Sequence, residues 1–266
     1  MTDYRAIFEG VESTLLRTST LPESLFRARL SRFKQVEDKT LSDDKFYRIL
    51  VDVIFYAGFR AATVKARLPT IHKYFPDYRT AAAYGEDEME RIVTDPAMLR
   101  NRRKVRGCVE NARTFVQIVD EYGSLHAYLD SFSAQDSTEN LLALQKDLQC
   151  RFKGIGSITS YQVLMEIGLP VLKPDRVVCR ILYRLGLIER EDHRVQAIDQ
   201  GREFARATGL PIRYIDIIFA LYGRVYSEEC GLDRGICLKD DPACGICGVR
   251  SYCTYVAQSG SRALAD

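Results

Sequence analysis

The sequence predicts an all-α protein, on three observations. Apolar residues recur at three- and four-residue spacing through most of the chain. No stretch keeps up the alternation of a half-buried strand. Gly, Pro and short capping residues punctuate the periodic stretches at helical lengths. There are no internal repeats and no low-complexity segments.

Residues 1–35 read as helical through Ile7, Val11, Leu15 and Leu16, then Leu25, Leu30 and Phe33, with Pro22 dividing two pieces. Polar residues from Gln35 to Asp44 read as a linker. Ser42 can cap a helix whose apolar face is Phe46, Ile49, Leu50, Val53, Ile54 and Ala57, ending at Gly58. Short helices are expected over 60–68 and 69–75, then one from Ala81 to Thr94. Asp95-Pro96 joins a cap to a first-turn proline, so a long helix burying Val105, Cys108, Val109, Ala112, Val116 and Val119 is expected to open there. Helices over Ser124–Phe132 and Leu141–Phe152 flank a polar loop.

Gly154-Ile155-Gly156 has the form of a tight hairpin that needs backbone freedom. Ser157 can cap the helix that follows, with Ile158, Tyr161, Leu164 and Ile167 on one face; Gly168 and Pro170 stop it. Asp175 opens another, with Val178, Ile181, Leu182 and Leu185 along one side. After a loop at 189–193, Val195–Ala207 and Pro211–Glu229 complete the helices.

A chain of 266 residues, 46% hydrophobic, holds one large or two small domains with a sizeable core. No apolar run spans a membrane, and Met1-Thr2-Asp3-Tyr4-Arg5 lacks the apolar core of a signal peptide. A cytoplasmic location is therefore expected, at the nucleoid in a bacterium or archaeon. The formal net charge of +2 favours no partner class, so only local clusters are informative. Eight cysteines in such a chain point to metal or free thiols rather than disulfides.

Three clusters carry chemistry. A glycine hairpin opening a helix aims N–H donors at one spot and suits an anion; as an ordinary turn it would need the same glycines. Arg100, Arg102, Arg103, Lys104 and Arg106 crowd the start of the long helix, where cations oppose the helix dipole. Either an anion compensates them or they form a solvated face. Cys237, Cys244, Cys247 and Cys253 stand as Cys-x6-Cys-x2-Cys-x5-Cys, four thiolates able to wrap one [4Fe–4S] cluster or a zinc ion. Cys230 could replace Cys237. Cys108, Cys150 and Cys179 lie on apolar faces and are expected in the core.

The hairpin, the Asp about twenty residues on, and the C-terminal cysteine spacing, in that order, resemble the helix–hairpin–helix DNA glycosylase superfamily. The branch is that of endonuclease III with its iron–sulfur loop. Residues 46–115 also resemble 3-methyladenine DNA glycosylase I, through Ala57-Gly58, Asp95-Pro96, the Arg100-Asn101-Arg102-Arg103-Lys104 run and Asn111-Ala112-Arg113. That family's pocket Glu and Trp positions hold Val53 and Ala61 here, and its N-terminal zinc motif is missing.

The resemblance implies a two-domain fold. Residues 39–175 would form a helical domain ending in the hairpin; 1–38 with 176–266 would form a discontinuous cluster domain. It implies a monomer acting on double-stranded DNA with a damaged base flipped out of the helix. Lys153, Gly154, Ile155, Gly156 and Ser157, with Arg102, Arg103 and Arg106, would contact DNA. Asp175 would serve base excision, and the four cysteines would hold a [4Fe–4S] cluster. Tyr47, Asp52, Tyr56 and Arg60 are the pocket candidates.

Bifunctional members carry a lysine two residues after the second hairpin glycine; Ile158 stands there and cannot act as a nucleophile. A monofunctional glycosylase is expected, with an alkylated purine as the favoured base. A strand-cleaving enzyme using Lys153 or Lys173, and a DNA-binding protein without catalysis, are the alternatives.

Overall fold

The computed structural model describes residues 2–34 and 41–256; most of the expected linker, 35–40, lies outside them. Helix α1 (Tyr4–Thr18) is capped by the Asp3 side chain, and α2 (Glu23–Leu30) opens after Pro22. Helix α3 (Asp43–Tyr56) starts where Ser42 accepts the Lys45 N–H. Helix α4 (Ala61–Tyr74) replaces the two expected short helices. It runs through Pro69, which lacks one backbone donor, while Val64 and Ile71 on either side are fully buried.

Helices α5 (Tyr78–Ala82) and α6 (Glu86–Thr94) follow. The long helix α7 (Arg102–Tyr122) begins six residues later than Asp95-Pro96 suggests. The Asp95 carboxylate is engaged elsewhere, accepting from the Tyr74 hydroxyl and the Ala97 N–H. Asn101 caps α7 instead, through the Lys104 N–H at 3.1 Å. Helices α8 (Leu125–Asp130), α9 (Thr138–Arg151), α10 (Thr159–Glu166), α11 (Arg176–Arg184), α12 (Arg194–Thr208) and α13 (Ile212–Gly223) complete the order.

Helix α13 ends at Gly223, short of Glu229. A Cβ on Gly223 would lie 2.6 Å from Val177, so α11 packs directly on its backbone. The Tyr222 carbonyl then accepts from Ile236 and Cys237, which folds the following chain back. Among the described residues there is no strand, only a bridge between Ser227 and Leu232. No helix there is long and apolar enough to cross a membrane.

The chain divides into two compact units. Glu37–Leu169 forms one; Met1–Val36 with Pro170–Asp266 forms the other. The cut at Leu169/Pro170 puts Asp175 and the loop before it with the cysteines, whereas 39–175 would have put them with the hairpin. The hairpin unit is built around Phe115, whose ring meets those of Phe46, Tyr47, Tyr78 and Phe152 at 5.4 to 5.7 Å. Burying each such ring contributes about 2–3 kcal/mol. The cysteine unit packs Phe8, Val11 and Leu15 of α1 against Phe204, Ile215 and Phe219, with Ile181 and Leu182 of α11 in the same core.

Candidate active site

The hairpin joins α9 to α10. Gly154 adopts φ +78°, which disfavours a side chain. Ile155 is buried and anchors the tip from below. Asn111, fully buried on α7, grips the entry with both ends of its amide. The Lys153 N–H donates to its Oδ1 at 2.6 Å, and its Nδ2 donates to the Lys153 carbonyl at 2.9 Å. The expected cap at Ser157 is not formed: Ile158 stands at the N-cap of α10 with no side-chain cap bond, and the Thr159 hydroxyl reaches back to accept the Gly156 N–H at 2.7 Å. The amides of Gly154 and Ile155 have no partner among the described residues, which leaves donors for an anion.

The basic run splits. Arg102 pairs with Glu90, and Arg106 with Glu86 at 3.0 Å. Lys104 turns inward and donates to the carbonyls of Ile54 and, at 2.7 Å, Ala57, closing the C-terminus of α3. Burial lowers its pKa from the ordinary lysine value. Arg103 is exposed and has no partner among the described residues.

The pocket candidates also separate. Tyr47 is fully buried against Phe115, and its hydroxyl donates to the Cys108 carbonyl at 3.0 Å; it is a core residue with no face for a base. Asp52 Oδ1 lies 2.7 Å from His72 Nε2, both side chains about a quarter exposed (29% and 27%). Tyr56 is half-buried at the end of α3 and Arg60 exposed beyond it.

Asp175 caps α11 with one oxygen only. Its Oδ1 accepts from the Val177 and Val178 N–H groups at 2.9 and 3.1 Å. Its Oδ2 lies 3.6 Å from the Lys173 ammonium, with a quarter of the side chain exposed. The loop leading to it is anchored in turn. Arg202 donates to the Pro170 carbonyl, Leu172 fills the space over Gly201 (2.4 Å from an ideal Cβ), and the Lys173 N–H donates to Asp216 at 2.8 Å.

Asp216 was not among the sequence candidates. It is a buried carboxyl pushed up to about 7 by desolvation, with Asp175 adding to the shift. The charge and N–H of Lys173, and Arg224, pull it back. The available signal was a single acid inside the apolar run Ile212–Leu221.

Helix α11 runs from Asp175 to the cysteine loop. Buried Arg180 donates to the carbonyls of Gly223 and Cys237 at 2.8 and 2.9 Å. Buried Arg184 donates to the Leu238 and Lys239 carbonyls and, at 3.4 Å, to the Cys237 sulfur. Cys237, Cys244, Cys247 and Cys253 line one cavity, closed by Arg184, Ile236, Pro242 and Tyr255. The Tyr222 hydroxyl lies 3.1 Å from the Cys247 sulfur. Burial raises the Cys237 and Cys244 thiols, and the Arg184 contact draws Cys237 back.

Cys230 is buried outside that cavity. No three metal-binding side chains among the described residues close around a single ion. Cys108 and Cys179 are in the core as expected, but Cys150 is exposed: the buried face of α9 is Leu141, Leu144, Gln145 and Leu148, and Cys150 falls off it.

A hairpin between helices, followed by an Asp-capped helix and a cysteine loop, defines a helical DNA glycosylase fold. The structure is similar to one titled as a non-covalent endonuclease III–DNA complex, with TM-score 0.52 and 16% identity over 93% of this chain and 100% of that one. It is also similar to a trapped endonuclease III–DNA covalent intermediate, with TM-score 0.52 and 16% identity over 88% and 96%. A match to 3-methyladenine DNA glycosylase I from Staphylococcus aureus has TM-score 0.45 and 21% identity over 52% and 84%. The model of the methyladenine glycosylase family matches residues 37–179, more than half of the chain. The protein belongs to that family and is a DNA glycosylase, an enzyme of base excision repair.

Proposed function

We propose that the enzyme is a monofunctional glycosylase that removes an alkylated purine from duplex DNA, with Asp175 as its catalytic carboxylate. The carrying observation is the divided duty of Asp175: Oδ1 is committed to the helix N–H groups, while Oδ2 is paired only with the Lys173 ammonium at 3.6 Å and is the oxygen offered to a substrate. A fixed carboxylate stabilises the cationic sugar formed as the glycosidic bond breaks, and orients the attacking water. Ring alkylation makes the purine a cationic leaving group, so little further acid catalysis is needed. The hairpin amides of Gly154 and Ile155 would hold a backbone phosphate, and the Asp52–His72 pair is the polar group offered to the flipped base. Membership of the methyladenine glycosylase family supports the choice of base.

We propose further that Cys237, Cys244, Cys247 and Cys253 hold a [4Fe–4S] cluster, a reading supported by their lining one cavity. Four thiols face one space, and Arg184 and Tyr222 direct donors at two of the sulfurs. A bound cluster would tie the loop by metal–thiolate bonds. About four irons per chain in anaerobically purified protein is the expected analysis; stoichiometric zinc would reject it.

Release of free base from methylated duplex DNA tests the function, run beside duplexes with uracil, hypoxanthine, or adenine opposite 8-oxoguanine. Release from one of these and none from methylated DNA rejects the alkyl-purine assignment. A second reading rests on the Lys173 ammonium beside Asp175: a strand-cleaving enzyme would be trapped on DNA by borohydride and lose trapping in Lys173→Ala.

A further inference from the structure

We propose that Asp216 is a positioning residue for Asp175, acting through Lys173 and adding a second negative charge behind the catalytic carboxylate. The inference rests on the reading of Asp175 as that carboxylate. Lys173 is the hub. Its N–H is held by Asp216 at 2.8 Å, its carbonyl accepts the Asp175 N–H at 2.8 Å, and its ammonium lies 3.6 Å from Asp175 Oδ2. Asp175 is therefore gripped by backbone and side chain of one residue, and that residue is fixed to the core of its unit by Asp216. Between them lies only Pro174, whose ring removes a torsion, so displacement at Lys173 is passed on to Asp175.

The choice of residue is informative. An Asp at 5% exposure inside an apolar helix is disfavoured unless its charge has a task, since Asn would accept the same N–H without ionising. The charged groups facing it are Lys173, Asp175 and Arg224. Its midpoint falls near neutrality. Ionisation there raises the negative potential at the end of the loop where a sugar cation would form. Across the neutral range the site therefore becomes a better cation stabiliser as pH rises.

The test uses the full chain and two duplexes that need no knowledge of the base: one with a cationic pyrrolidine abasic analogue, one with neutral tetrahydrofuran. The ratio of their affinities reads how well the carboxylate faces the sugar. Wild type is expected to prefer pyrrolidine, increasingly from pH 6 to 8. Asp216→Leu should cut the ratio by about tenfold or more through misplacement. Asp216→Asn keeps the acceptor, so it should keep the ratio seen at pH 6 and lose its rise.

Asp175→Asn should bring the ratio close to one. A wild-type ratio of one, or an unchanged ratio in Asp175→Asn, rejects the catalytic reading and the proposal with it. Collapse in Asp175→Asn beside a wild-type ratio in Asp216→Leu rejects only the proposal. If Asp216→Leu does not fold, a pH rise that survives in Asp216→Asn is sufficient to reject it.

Discussion

The hairpin at Lys153 and the loop at Lys173 each hang on one buried side chain from a helix of their own unit, Asn111 on α7 and Asp216 on α13. The two clamps differ in chemistry. Asn111 satisfies both the N–H and the carbonyl of Lys153 and carries no charge, so its grip is the same at every pH. Asp216 takes only the N–H, leaves the Lys173 carbonyl to Asp175, and keeps an ionisable group in the interior. A loop that offers neutral amides is held by a neutral clamp. A loop that offers a carboxylate is held by a second carboxylate, at a cost in stability that depends on pH.

The largest expected effect separates presenting a carboxylate from being a turn. Asp175→Asn retains the cap, because Asn accepts the Val177 and Val178 N–H groups as Asp does, and stability should change by less than about 0.5 kcal/mol. Excision by the saturated enzyme should fall about a hundredfold or more, with affinity for undamaged duplex unchanged. Equal activity would make both loops plain structural turns.

The next effect concerns the cost of the charged clamp. Asp216 titrates at about 7 in the folded protein and near 3.8 in the unfolded chain. Between those values the folded state holds a proton that the unfolded chain has lost, so stability declines as pH rises through the window. The full penalty, reached above about pH 7, is roughly 4 kcal/mol. It is absent below the unfolded value. Asp216→Asn removes the titration, so its denaturation midpoint relative to wild type should climb between pH 5 and 8. A constant difference would erase the contrast with Asn111.

Asn111→Leu sharpens the neutral side of the comparison. It leaves the part-buried N–H and carbonyl of Lys153 without their partner and should destabilise by about 1–2 kcal/mol at every pH. Duplex affinity should drop, while excision by the enzyme once saturated changes little. An unaltered affinity in the folded variant would show that the hairpin does not hold DNA.

How much of this was legible in sequence follows the range of the interaction. The caps at Ser42 and Asp175 and the glycine turn are local patterns, and they stand where the sequence put them. The late start of α7 was hidden because Asp95 bonds to Tyr74, a residue of another helix. Tyr47 looked available because one helix face cannot show that Phe115 covers it. Lys104 was counted with a cationic patch although its partners are carbonyls at the end of α3. Asp216 and the grip of Asn111 on Lys153 both depend on chain more than forty residues away.

The smallest effect tests the basic run beside the neutral clamp. Five cations were grouped by sequence, yet their surroundings give them unequal freedom. Lys104 is committed to α3, and Arg102 and Arg106 are paired with Glu90 and Glu86, exposed pairs worth less than about 1 kcal/mol each. A phosphate reaching Arg102 or Arg106 must displace a carboxylate, which offsets part of the gain. Arg103 has no such competitor among the described residues. If this face meets DNA, Arg103→Ala should reduce the salt slope of binding by about one unit and lower affinity across sequences alike. Arg102→Ala and Arg106→Ala should each give a smaller change, because the freed glutamate adds repulsion while the lost arginine was already partly neutralised. Pairing Arg103→Ala with Asn111→Leu then asks whether hairpin and helix α7 grip the same duplex. Losses that add in free energy mean separate phosphate contacts. An unchanged slope in all three arginine variants would place this face in solvent.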